Sequence, residues 1–146
     1  MFESCACFGQ NEIKNENALE SSLSVMFEYL IKEQNTSLFY FGGIGKFDKL
    51  CESVLLKLKS KFGHIKLILV KPAIKDFENQ IDFKYDTVIE FKEKNEYDKM
   101  PLFSRDLKMS KNADFLVFYV DENSKNKTRK ILDLAKTWNK NFVNMV

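Results

Sequence analysis

Gly42, Gly43 and Gly45 in "SLFYFGGIGKFDKLC" stand where an apolar, strand-like run gives way to a helical pattern. Residues without a Cβ adopt positive φ at little cost and let a ligand approach bare backbone. The helix start behind them offers unpaired N–H donors and a partial positive charge, so an anionic group is welcome there. The spacing G-G-x-G is neither the Walker pattern nor the full dinucleotide fingerprint. A ligand cradle and a tight turn packed closely on a sheet both fit it. Asp48, in the first turn of the helix, favours the dipole. It also repels a phosphate placed too near, which tilts such a site toward a ribose or a base.

Other residue types with chemical potential are sparse. Cys5, Cys7, Cys51 and the single histidine, His64, could on paper supply four zinc ligands. The usual C-x-x-C knuckle is absent, and small buried cysteines are the better reading. No serine sits in a G-x-S-x-G elbow. Asp86, Glu90, Glu93 and Glu96 form a loose acidic run that reads as a solvated loop rather than a cation site. No motif calls for a metal or a cofactor.

The elements that must position these residues follow from periodicity. Phe2 to Phe8 is a short apolar run that suits a buried strand and ends at Gly9. Leu19, Leu23, Met26, Phe27, Leu30 and Ile31 mark one face of a helix that stops near "KEQNTS". Leu38 to Phe41 lacks alternation, as a strand covered on both faces does. Phe47, Leu50, Cys51, Val54, Leu55 and Leu58 repeat at helical spacing, with Gly63 as the expected C-terminal cap. "HIKLILV" is a third strand, "DTVIEF" a fourth, and "PLFSRDLKMSKNA" a helix with proline at its start. "DFLVFYV" is the next buried strand. "KTRKILDLAKTWNK" is the last helix, with Ile131, Leu134, Ala135 and Trp138 inward, and "FVNMV" closes the chain as a strand.

This alternation predicts an α/β fold: one Rossmann-like domain over residues 1–146, a three-layer sandwich with a mainly parallel sheet. Ligands in such sheets bind beyond the carboxyl ends of the strands. The rule selects the loops after Phe8, Phe41, Val70 and Val120. The connection between Pro72 and Pro101 is long, and its "EFKEKNEYDKMP" run is expected to cover a pocket.

Composition narrows the partners. The 146 residues are 45% hydrophobic and 30% charged, with a formal net charge of +2. The lysines are scattered among acids rather than gathered into the stripe of a nucleic-acid binder. No apolar run approaches the roughly 20 residues that span a bilayer. The Met1-Phe2-Glu3-Ser4 start carries an acid where a secretory signal carries lysines. The expectation is a cytoplasmic protein with no nucleic-acid or membrane partner.

"LFYFGGIGKFDKLC", "HIKLILVKPA", "YDTVIEF", "SRDLKMSKNADFLVFYV" and "ILDLAKTWNKNFVNMV" together resemble the SLOG superfamily, small Rossmann-like proteins related to the Lonely Guy phosphoribohydrolases. The likeness covers nearly the whole chain and is strongest to short bacterial members of unassigned function. It implies a pocket for a nucleotide-derived ligand, lined by the first loop with Gly9 and Gln10, by Phe41 and the glycine loop, by an arginine on the helix before the fifth strand, and by a loop after that strand. Arg105 matches this arginine. A planar fork suits phosphate or carboxylate, and a surface ion pair with Asp106 is the plainer alternative. Thr128, with Lys125 and Lys127, falls where relatives carry a glycine-containing phosphate turn, which this chain lacks. A glycine-histidine-arginine turn is likewise replaced by Gly9-Gln10-Asn11. The family pattern PGGxGTxxE places Ile131 at the glutamate position, and isoleucine transfers no proton.

The first functional reading is therefore a sensor or carrier module for a nucleotide-derived small molecule, with no catalytic residue. The alternatives are a divergent nucleoside 5′-monophosphate phosphoribohydrolase and a degenerate interaction scaffold, the last as a homodimer.

Overall fold

A computed structural model of the chain describes residues 1–77 and 83–146. Six strands form one sheet in the order β4-β3-β2-β1-β5-β6. They are β1 (Ser4–Gly9), β2 (Leu38–Phe41), β3 (Lys66–Val70), β4 (Thr87–Ile89), β5 (Phe115–Tyr119) and β6 (Asn141–Asn144). Every neighbouring pair is parallel, with Ala6 opposite Tyr40 on one side and Leu116 on the other. Among the described residues four helices complete it: α1 (Glu16–Glu33), α2 (Lys46–Lys59), α3 (Pro101–Asn112) and α4 (Lys127–Thr137). This is the expected Rossmann-like three-layer sandwich, with an all-parallel sheet.

The unbroken apolar runs are explained by burial on both faces. Cys5, Cys7, Phe39, Phe41, Leu67 and Tyr119 face α1 and α2, while Ala6, Phe8, Val70, Leu116 and Phe118 face α3 and α4. Successive residues of one strand thus enter different cores, as the two-residue period requires. The three cysteines are free and buried in the α1–α2 core. Burial pushes the thiols of Cys5 and Cys7 well above their ordinary range, which keeps them protonated. His64 is exposed, two residues ahead of β3.

Local chemistry moves several boundaries. α1 starts three residues before Leu19, because Asn15 caps it by accepting from the Ala18 amide. α2 ends at Lys59 with Ser60 as its C-cap, and Ser60 Oγ donates to the Lys57 carbonyl. Gly63, expected as the cap, lies beyond that end and has no positive φ. On α4 the fully buried residues are Ile131, Leu132 and Ala135. Leu134 and Trp138 pack on the edge of that core instead of inside it. No helix among the described residues is long and apolar enough to cross a membrane.

Candidate functional site

Each glycine of the β2–α2 loop serves a different close contact. Phe41 ends β2 wholly buried, its ring 6.3 Å from that of Tyr85. At Gly42 an added Cβ would lie 2.7 Å from Arg105 Nη2 and 2.8 Å from Cζ. Gly43, at φ 77, turns its amide toward Asp48 Oδ2 at 3.0 Å. Gly45, at φ 101, is the residue before α2, and its missing Cβ leaves room for Asn11 Oδ1. That same oxygen accepts the Lys46 amide at 3.1 Å. Two of the amides expected to receive an anion are thus engaged by Asn11 and Asp48. Asp48 does more than favour the dipole: it is 6% exposed and fixes the loop it follows.

The first loop is similarly self-contained. The Phe47 ring occupies the space over Gly9, 2.3 Å from where a Cβ would stand. Gln10 bridges to the loop after β5, donating to Asp121 Oδ2 at 3.0 Å and accepting the Asp121 amide at 3.0 Å. Thr128 lies half-buried in the first turn of α4, whose cap is Asn126. These residues share the carboxyl end of the sheet, but of all the expected site residues only Arg105 lines the hollow beside it; Gly9, Gln10, Phe41, Gly42, Gly43, Gly45 and Thr128 do not.

Arg105 is where the structure concentrates the site. It is 6% exposed, so the expected surface ion pair becomes a buried one, with Nε donating to Asp106 at 2.7 Å. Nη1 donates to the carbonyls of Gly42 and Val70, at 3.1 and 3.0 Å, which ties the ends of β2 and β3 together. Nη2 makes no hydrogen bond, and no buried polar side-chain atom among the described residues lacks a partner, so Nη2 keeps contact with solvent. Arg105 also lines a hollow of about 320 Å³ at the carboxyl ends of β3 and β4, flanked by the start of α3. Val70, Pro72, Ala73 and Phe91 give it an apolar side. Lys92, Lys94, Ser104 and Lys108 give it donors. The "EFKEKNEYDKMP" run lies along this hollow through Glu90, Phe91, Lys92, Glu93, Lys94 and Asp98, where a covering segment was expected.

No family model matches the chain, and no curated protein matches its sequence.

Behind the glycine loop, opposite the hollow, lies a buried acidic group. Burial, reinforced by Glu52 and Asp106, raises the Asp48 carboxyl well above the ordinary carboxylate range, against the pull of Arg105 and the Gly43 amide. Glu52 is 4% exposed and accepts a short hydrogen bond from Tyr85. Burial raises it too. At the mouth of the hollow the sign reverses. Hydrogen bonds from Ser104 Oγ and the Asn95 amide, with Lys108 beside them, hold Asp98 below the usual range. Among the residues of the hollow that the sequence did not single out by themselves are Ser104, Lys108 and Asp98. Their signal was faint: Ser104 and Lys108 are four apart on one helix face beside Arg105, and Asp98 is one acid in a lysine-rich run.

Proposed function

We propose that the protein is a cytoplasmic binding module for a nucleotide-derived anion, seated in the hollow between β3, β4 and the start of α3. The observation that carries the reading is Arg105: a guanidinium buried at the carboxyl end of the sheet, with one nitrogen left over, on a residue that lines a hollow ringed by lysines. Buried arginines that lack a full set of partners are suited to bidentate recognition of phosphate or carboxylate. Phe91 and Pro72 supply an apolar wall on which a base can rest. The position beyond the strand ends agrees with the general site of ligands in open parallel sheets, and with the resemblance to SLOG proteins. A phosphoribohydrolase has less support, since Ile131, at the place of the proton-transferring glutamate, is buried in the α3–α4 core.

Thermal-shift titration with nucleoside monophosphates and inorganic phosphate tests the proposal. A ligand at 100 times its dissociation constant stabilises by about 2.7 kcal/mol. For a chain of this size that is roughly 5–10 °C in Tm. A flat response to every nucleotide overturns it. The scaffold reading then takes its place, favoured by the own side chains of Phe47, Arg105 and Asn11 that fill the space beside Gly9, Gly42 and Gly45.

A further inference from the structure

We propose that Ser104, Lys108 and the first turn of α3 form a phosphate subsite that the chain occupies with its own Asp98 carboxylate, and that a phosphate monoester binds by displacing it. The inference rests on the reading of the hollow as an anion site and adds its occupant and its control.

The geometry is that of a bound anion. Asp98 Oδ1 accepts from Ser104 Oγ at 2.9 Å and stands 3.4 Å from Lys108 Nζ, while Oδ2 accepts the Asn95 amide at 3.2 Å. The donors are deep and the acceptor is shallow: Ser104 is 3% exposed and the Lys108 side chain 15%, whereas the Asp98 side chain is 43% exposed. α3 opens with Pro101, has no side-chain cap and carries no acid in its first turn. The positive end of its dipole is therefore answered only by what lies in front of it. Arg105 supplies the independent sign of a ligand, because its unpartnered Nη2 belongs to a residue more than nine-tenths buried that lines the same hollow.

A single carboxylate is a poor match for this set of donors. A phosphate monoester brings nearly twice the charge and three acceptor oxygens, enough to meet Ser104, Lys108 and Arg105 at once. Displacement loosens the turn from Asn95 to Asp98 from α3 on that side. The Tyr97 ring, 4.9 Å from Phe103 and 4.8 Å from Lys130 Nζ, keeps the other side in place. Binding thus opens a latch at the rim of the site rather than unfolding the segment.

The test is calorimetric titration of the full chain with inorganic phosphate and with AMP at low ionic strength. The variants are Asp98→Asn, Glu90→Gln, Lys108→Met and the double variant Asp98→Asn with Lys108→Met. Glu90 lines the same hollow but bonds neither Ser104 nor Lys108, so Glu90→Gln removes the same charge without emptying the subsite. Asp98→Asn is expected to tighten phosphate binding about fivefold or more, a modest coupling between competing occupants. Glu90→Gln is expected to leave the affinity near that of the native chain, and Lys108→Met to abolish the gain from Asp98→Asn. Equal effects of Asp98→Asn and Glu90→Gln overturn the inference in favour of a general field. Native-like phosphate affinity in Asp98→Asn, with AMP still bound, overturns it while sparing the hollow as a site. Absence of phosphate and AMP binding in every variant overturns both.

Discussion

Replacing Gly42 by alanine is the sharpest probe of how the site is built. The substitution introduces no backbone strain, since Gly42 is not among the residues with positive φ. Its whole cost comes from one methyl group placed 2.7 Å from Nη2, 2.8 Å from Cζ and 3.2 Å from Nη1 of Arg105. A lone flexible chain end would swing aside. This guanidinium is planar and pinned by Asp106 at one edge and by two carbonyls at another, with the Phe77 ring 5.8 Å from Cζ. Moving it by half an ångström or more breaks at least one bond from Nη1, and a hydrogen bond to a charged group contributes about 1.5–3 kcal/mol. The lower entropy of the unfolded alanine chain returns about 0.4–1 kcal/mol. The net loss is about 0.5–2.5 kcal/mol, or roughly 1–10 °C in Tm for a chain of this length. Urea denaturation and thermal melts of Gly42→Ala and Gly63→Ala measure it directly, because a Cβ at Gly63 meets nothing within 4 Å. In an Arg105→Lys background the penalty of Gly42→Ala should shrink, giving a coupling energy of about 0.5 kcal/mol or more. If Gly42→Ala proves as benign as Gly63→Ala, the glycine does not serve the arginine and the construction of the site given above is wrong.

The other glycine contacts and caps make parallel predictions. Gly9→Ala drives a methyl into the buried Phe47 ring and should destabilise by about 1–3 kcal/mol, as overpacking does, with the loss read from the urea midpoint at constant m-value. Asn11→Ala removes the acceptor of the Lys46 amide and should lower stability by about 1 kcal/mol, the usual cost of a lost helix cap, again by urea denaturation. Asp48→Asn should change the pH dependence. The folded-state pKa of Asp48 is raised, so the folded chain holds the proton after the unfolded chain has lost it, and stability falls as pH rises from the ordinary carboxylate range toward the raised value. The asparagine variant lacks that decline, and its stability relative to the native chain should therefore increase between pH 4 and neutrality, measured by denaturation at each pH.

The fold was legible because its strongest signals are local. Leu38 to Phe41 and Phe115 to Tyr119 read as doubly covered strands from their lack of alternation; β5 buries both faces, whereas β2 buries Phe39 and Phe41 and leaves Leu38 and Tyr40 half-buried. Phe47 to Leu58 read as a helix, and every residue of that stripe is buried. The caps were less legible. Asn15 ends the loop before α1 in a left-handed conformation that composition does not announce. The end of α2 is settled at Ser60, where hydrogen bonds to Lys57 and Leu58 stop the helix before the glycine is reached. The site was legible as a region only. That ligands belong beyond the strand ends follows from topology, and Arg105 was singled out by the resemblance to SLOG proteins. The pairing of Gly42 with Arg105 spans 63 residues, and that of Gly45 with Asn11 comes from a different loop. Such pairings depend on the packed sheet, and no spacing along the chain encodes them.

The glycines beside the sheet hold parts of the protein itself, and this changes what the loop can contribute to binding. A cradle left empty for a ligand would carry its amides unpaired and its positive charge unanswered. Here Asn11 and Asp48 have taken two amides, and Asp48 sits against Glu52 in a burial that disfavours ionisation of both. Burial raises both acids that act on the Arg105 charge, Asp48 and Asp106, and of the two Asp106 bonds the guanidinium directly. The loop therefore bears on the hollow through Arg105: the absence of a side chain at Gly42 sets how far back the guanidinium can sit, and its two carbonyl bonds hold it there. A bulkier residue at position 42 would displace the guanidinium from this position, so the same methyl that costs stability should also weaken anion binding in the hollow that Arg105 lines.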